Sequence, residues 1–308
     1  MPMKSDFYYE SQCGGKLHGC RWTPDAPPKG VVQLVHGIAE HLGRYDRFAR
    51  FLNEQGYLVV GEDHMGHGQS ITPQSPMGYF QGGWFAAVAD TYQLLLDTKA
   101  EFPDLPYVLF GHSMGSFMVR TILAKYPDSG IAGAIICGTG KQPAFMLAAG
   151  KLVSLMIGRL QGDTQPNPLI RKLSFGSYNS RVEHSRTSSD WLTRDEKIVD
   201  EAVADPLCGF PASPGLFRSM LNGISYIQDR SSLRRMKKDL PVYFIAGGDD
   251  PVGPYGKGVK QVADSFRKAG MESVEVKIYP LCRHEILNEI NWQEVHGDVA
   301  KWLTDHVE

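Results

Sequence analysis

Cysteine is scarce and unpatterned in this chain of 308 residues. Cys13, Cys20, Cys137, Cys208 and Cys282 are odd in number, scattered, and form no C-x-x-C pair, so a disulfide framework is not expected and reduced thiols in a cytoplasmic protein are the simplest account. No stretch offers the ~18 uninterrupted apolar residues of a membrane span. The segment from Met1 to Glu10 lacks the apolar core of a secretory signal. Basic runs are missing too, and a net charge of −2 makes nucleic acid an unexpected partner. What remains is an ordinary globular composition, 42% hydrophobic and 21% charged. The length suits two domains, or one α/β domain carrying an insertion.

Apolar runs alternate with helical patterns through the first half. Phe7–Ser11 and Leu17–Trp22 read as a hairpin through Gly14-Gly15. Val31–Val35, Tyr57–Val60, Tyr107–Phe110 and Ile131–Cys137 read as strands, the first and last of them buried on both faces. Between them lie helices over Tyr45–Glu54, Trp84–Phe102 and the stretch after Gly115. This order predicts βαβ units and a mostly parallel sheet flanked by helices. From about Gly140 to Pro214 the alternation stops and the pattern is helical and irregular. It resumes with a strand at Pro241–Ala246, a helix near Val259–Lys268, a strand at Ser273–Tyr279 and a helix at Trp292–Val307. The predicted organisation is core (1–139), helical insertion (140–214), core (215–308). An insertion leaving the carboxyl end of a strand would sit over the ligand site as a lid.

The richest stretch is Gly111-His112-Ser113-Met114-Gly115, a G-x-S-x-G between an apolar strand and a helix. That context marks a nucleophile elbow: Gly111 and Gly115 let helix and strand pass closely, and Ser113 is held strained and exposed at the tip. The positive end of the helix favours developing negative charge there. A serine hydroxyl needs a base, and the base needs a carboxylate. In the order Ser, acid, His, only His284 follows a strand suitably, in Pro280-Leu281-Cys282-Arg283-His284-Glu285. His296 and His306 read as surface residues of the last helix. The acid belongs after the Pro241–Ala246 strand, where Asp249 and Asp250 compete; Asp250 is preferred because Asp-Pro pins the turn. Two oxyanion donors are needed, the amide of Met114 and that of Ile38 after His36-Gly37. A metal site from His36, His41, His64 and His67 lacks a carboxylate or cysteine set of known spacing, so neither metal nor organic cofactor is expected.

With these residues placed, the chain resembles the monoacylglycerol lipase and lysophospholipase branch of the α/β-hydrolase superfamily. The likeness rests on His36-Gly37-Ile38-Ala39-Glu40-His41 with Arg44-Tyr45, Asp63-His64-Met65-Gly66-His67-Gly68-Gln69-Ser70, the elbow, Asp250-Pro251-Val252, and Arg283-His284-Glu285 with Asn288-Glu289. It implies a serine carboxylester hydrolase with a helical cap shaping an acyl pocket. It also implies Ser113, Asp250 and His284 as triad and the amides of Ile38 and Met114 as oxyanion hole. Two departures stand out: Leu281 where the family often has glycine, and Leu287 one turn after His284 where some relatives are polar.

The substrate expected is a small-molecule or lipid ester with an apolar acyl chain. Thioesterase, acyltransferase and aminopeptidase chemistry are alternatives on the same triad, and a non-catalytic binding protein is the alternative of another class. The peptidase relatives carry a glycine-proline-rich loop after the histidine-glycine pair, which Ile38-Ala39-Glu40 lacks. In Pro143–Arg159, Phe145, Leu152 and Met156 share a helical face widened by Leu147, Leu155 and Ile157 and interrupted by Lys151 and Arg159. That pattern fits an apolar lid over an acyl tunnel, able to touch a membrane surface, and equally an amphipathic helix packed on the core. Trp191–Phe210 reads as a helix capped by Asp190 or Thr193 and ended by Gly209. Cys282 reads as a buried structural thiol.

Overall fold

The computed structural model describes residues 3–307. Met1, Pro2 and Glu308 lie outside them, and with them the start of the N-terminal signal reading and the outer ends of the two core segments.

Eight strands form one sheet: β1 (Met3–Glu10), β2 (Lys16–Thr23), β3 (Gly30–Val35), β4 (Tyr57–Glu62), β5 (Tyr107–His112), β6 (Gly133–Cys137), β7 (Val242–Gly247) and β8 (Val274–Tyr279). Their order is β1-β2-β4-β3-β5-β6-β7-β8. The β1/β2 and β2/β4 pairs are antiparallel and the other five pairs parallel. Strands β3 to β7 are buried at every position, as their continuous apolar runs require of strands covered on both faces. The hairpin strands run longer than the predicted ones because backbone pairing extends past the apolar residues to Met3 and Thr23.

Helices cover both faces: α1 (Asp46–Glu54), α2 (Trp84–Glu101), α3 (Met114–Lys125), α4 (Ala144–Gln161), α5 (Pro168–Phe175), α6 (Glu196–Ala204), α7 (Pro214–Gln228), α8 (Arg230–Arg235), α9 (Lys257–Lys268) and α10 (Trp292–Val307). One core cluster gathers Phe80, Trp84, Met118 and Phe244 on one side of the sheet, and another gathers Trp22, Phe48, Phe110 and Trp302 on the other. Among the described residues, the segment between β6 and β7 contains helices and no strand.

Three expectations are corrected. His296 is fully buried, packed between Phe48, Phe51 and Trp292, because the last helix turns that face toward α1. The cap of α6 is Asp195, whose carboxylate accepts from the amides of Lys197 and Ile198. Asp190 is occupied by the Arg186 and Thr187 amides, and Gly209 donates its N–H to Ala39 O at 2.8 Å rather than ending the helix, which stops at Ala204. Finally, Phe145, Leu152 and Met156 are more than half exposed and are not among the residues that line the cavity around Ser113. Helix α4 turns Leu147, Gly150 and Ser154 inward, where a Cβ on Gly150 would stand 2.7 Å from Leu221 of α7, and presents the Phe145 face to solvent.

Candidate active site

The order of the sheet reverses at β3: β4 lies on one side of it and β5 on the other. Such a switch point opens a crevice beyond the carboxyl ends of the strands. The loops after β3, β5, β7 and β8 carry Ile38, Ser113, Asp250 and His284.

Ser113 sits between β5 and α3 with φ 53 and ψ −118, a left-handed pose that costs a non-glycine residue roughly 1–3 kcal/mol. The surroundings enforce it. A Cβ at Gly115 would lie 1.9 Å from Val35 O, and one at Gly111 2.5 Å from Gly115 O, so only glycine lets α3 cross β3 and β5 this closely. The Ser113 N–H donates to Cys137 O at 3.0 Å. Met114 opens α3, and its amide is one of the first-turn donors with no acceptor inside the helix.

His284 is buried, with Nδ1 3.0 Å from Asp250 Oδ1. The ring N–H is not well aligned with that oxygen, and neither Nδ1 nor Asp250 Oδ2 has another partner. Catalytic contacts without substrate are often loosely aligned in this way. Asp250 is wholly buried, and its Oδ1 also accepts from the Val252 amide at 2.8 Å. Asp249 is exposed and its amide is bound to Cys282 O. The imidazole packs, tilted, against Trp191 at 5.1 Å and His112 at 4.7 Å between ring centroids. Its backbone is clamped from outside: the amides of His284 and Glu285 donate to Trp191 O and Leu192 O, and Arg283 reaches Asp190 O and Thr193 O. Leu281, with φ 63, keeps the left-handed turn that glycine would favour. Leu287 is buried against Arg47 and His296, whose side chains reach its carbonyl. Cys282 is fully buried, its thiol bound to Asn291, and burial pushes its pKa up.

A cavity of about 550 Å³ brings Ser113, His284, Ile38 and Ala39 together. Pro168, Phe175, Trp191 and Leu192 supply apolar wall from the segment between β6 and β7, and Arg171, Lys172, Asn179, Ser188 and Ser189 add polar groups to it.

Part of the cavity wall belongs to a polar network around Glu40, His112, Arg44 and Glu285. Glu40 Oε1 accepts from the Gly37 amide at 2.5 Å, from Tyr45 Oη at 2.9 Å and from His112 Nδ1 at 3.1 Å. Arg44 bonds Glu285 and lies 3.8 Å from Glu40 Oε2. Burial opposes the charge on Glu40, but the His112 hydrogen bond and the Arg44 charge outweigh it and hold the carboxyl below its usual range. His112 is correspondingly raised: burial opposes its charge, and the Glu40 contact prevails. The signal was present in Glu40, Arg44-Tyr45, His112 and Glu285, all inside the quoted motifs, but sequence shows no pairing between loops so far apart.

The histidines weighed for a metal do not converge. His36, His64 and His67 pack as tilted rings, 4.0 Å and 5.4 Å between centroids from His36, and bond backbone groups, with His64 also 3.3 Å from Glu62 Oε1. Burial above all holds them neutral, with pKa values of about 3, 4 and 3. His41 stands apart, bonded to Asp205.

Residues 26–291 match the family described as "Serine aminopeptidase, S33". A monoacylglycerol lipase of Mycolicibacterium smegmatis is 29% identical over 93% of this chain and 92% of its own length. The monoglyceride lipase of Rattus norvegicus is 30% identical over 77% of this chain and 70% of its own. Among solved structures, a thermostable carboxyl esterase from Bacillus coagulans, in complex with glycerol, superposes with a TM-score of 0.89 at 29% identity and covers all of both chains. With an α/β-hydrolase sheet, a strained serine at its switch point and relatives of this kind, the chain belongs to the serine aminopeptidase S33 family, in its monoacylglycerol lipase-like branch.

Proposed function

We propose that this carboxylic ester hydrolase works through an acyl-enzyme on Ser113, with His284 as base and Asp250 as the acid that orients it. The observation that carries the reading is the buried His284–Asp250 pair at 3.0 Å beside a cavity that also exposes Ser113. Ser113 attacks the ester carbonyl while His284 takes its proton, and the oxyanion forms against the amides of Ile38 and Met114. His284 then protonates the leaving alcohol, and water repeats the path in reverse.

Ester is favoured over peptide by the cavity's charges. An aminopeptidase needs a free carboxylate for the substrate's ammonium group. The only carboxylates lining the cavity among the described residues are Glu40 and Glu285, and both are engaged by Arg44 and its neighbours. The apolar wall from Phe175, Trp191 and Leu192 suits an acyl chain, and the polar rim suits an alcohol such as glycerol. Residues 140–214 act in this reading as the cap. A panel of p-nitrophenyl esters of rising acyl length tests it: kcat/KM should rise and then fall as the chain outgrows the cavity. A flat response would overturn the acyl-pocket reading.

Helix α4 supports contact with a membrane surface. Its Phe145, Met146, Leu152, Met156 and Leu160 are all more than half exposed, and α5 adds Leu173. The helix passes by length and hydropathy for a span, but Lys151 and Arg159 within it and its packing on α7 suit a helix lying in the interface plane. Co-sedimentation with anionic vesicles should fall several-fold in Phe145→Ser with Leu160→Ser; unchanged binding would sink the idea. The five free cysteines support a reducing, cytoplasmic setting.

A further inference from the structure

On the antiparallel hairpin, at the far side of the sheet from the elbow, Asp6 stands directly opposite Cys20, and His18 lies two residues before Cys20 on the same face. Their side chains converge: Asp6 Oδ1 is 3.1 Å from His18 Nε2 and 3.0 Å from Cys20 Sγ, and Sγ is 3.7 Å from Nε2. A tetrahedral zinc ion with ordinary bond lengths separates such ligand atoms by about 3.4 Å for N···O and 3.6 Å for pairs with sulfur. The three atoms therefore stand within about 0.6 Å of the edges of a coordination tetrahedron.

The imidazole is also oriented by an outer carboxylate. His18 Nδ1 is 2.9 Å from Asp63 Oδ2, and Asp63 is itself fixed by the amides of Leu42 and Gln69. A carboxylate that accepts from Nδ1–H leaves Nε2 as the ring nitrogen a metal can take, once the ion displaces the proton that Nε2 shares with Asp6; an outer carboxylate orients metal-bound histidines in this way. We propose that Asp6, His18 and Cys20 form a binding site for a divalent ion of the zinc class. A mixed O, N, S set with a thiolate selects such an ion over magnesium or calcium. Asp6 is exposed and gives the ion a route from solvent, while His18 and Cys20 are buried. The fourth position is open to water. Binding displaces the Cys20 thiol proton and any proton on Nε2, and it fastens edge strand β1 to β2.

A second cluster, His41, Asp205 and Cys208, satisfies the same proximity but lacks a carboxylate at Nδ1 to hold the proton there when Nε2 gives its own up. There His41 Nδ1 accepts from the Gly43 amide, so Nε2 carries the proton and gives it to Asp205. The two clusters provide the control. Titration of the chelator-stripped full chain with zinc chloride should reveal one saturable site, weakened at least about tenfold in both Asp6→Asn and Cys20→Ser. Cobalt(II) should give a thiolate charge-transfer absorption that Cys20→Ser abolishes. Asp6 is exposed, so Asp6→Asn should fold, and ester hydrolysis should be unchanged because no member of the cluster lines the cavity. Absence of saturable binding, binding that survives Asp6→Asn, or binding lost in His41→Gln instead would overturn the site.

Discussion

Ester hydrolysis should fall by about 10⁶-fold in Ser113→Ala and about 10⁴-fold in Asp250→Asn, while Asp249→Asn should stay within about threefold of the parent. Removing the nucleophile leaves only binding and the oxyanion donors, which is why the first loss is the larger. Asparagine in place of Asp250 keeps the volume but can offer an N–H to His284 Nδ1, which favours the tautomer with its proton on the wrong nitrogen. Asp250 is fully buried, and among the described residues it is the only carboxylate paired with His284 Nδ1. Asp249 is exposed and linked to the loop through its amide, so its side chain carries no comparable duty. The measurement is kcat on a soluble p-nitrophenyl ester, with circular dichroism confirming the fold of each variant. Loss of activity in Asp249→Asn with Asp250→Asn active would reverse the assignment of the acid. Full activity in Ser113→Ala would remove the acyl-enzyme mechanism altogether.

Most of the sheet was legible because parallel strands buried on both faces must read as unbroken apolar runs. Val31–Val35 and Tyr107–Phe110 left little choice of element, and their loops then fell at one end of the sheet. The elbow was legible for a local steric reason, since a Cβ on Gly115 collides with Val35 O. Helix α4 shows where such reading stops. Its apolar face was visible in the sequence, but whether that face meets a tunnel or solvent is decided by α7, about 70 residues later, through Gly150 and Leu221. The α6 cap, Asp195, falls outside the two candidates read from the sequence: Asp190 is taken by the turn at Arg186 and Thr187, and the Thr193 hydroxyl accepts from the Asp195 amide ahead of the helix. His296 looked superficial because one turn of a terminal helix does not reveal which neighbour it meets.

Glu40 is the position where the greatest loss from a residue outside the proposed triad is expected. Its carboxylate holds the Gly37 amide, Tyr45 and His112 at once. Gly37 fixes the approach to the Ile38 amide, His112 precedes Ser113, and Arg44 connects Glu40 to Glu285 beside His284. One buried charge thus sets the positions of three loops that must agree within fractions of an ångström. Glu40→Ala leaves buried His112 and the Gly37 amide without their acceptor, while Arg44 keeps Glu285, and an unsatisfied buried polar group costs about 1–3 kcal/mol of stability. It also frees the Ile38 loop, and loss of one oxyanion donor lowers kcat by about 10²–10³-fold. Glu40→Gln keeps an oxygen for the Gly37 amide, so kcat should recover to within about tenfold of the parent while stability remains reduced. A purely structural role predicts otherwise. Assayed well below its melting temperature, Glu40→Ala would then retain its kcat, and glutamine would restore nothing that matters to turnover. Parallel thermal melts and kcat measurements on the two variants separate these outcomes, because positioning moves kcat with KM nearly constant and simple unfolding moves only the active fraction.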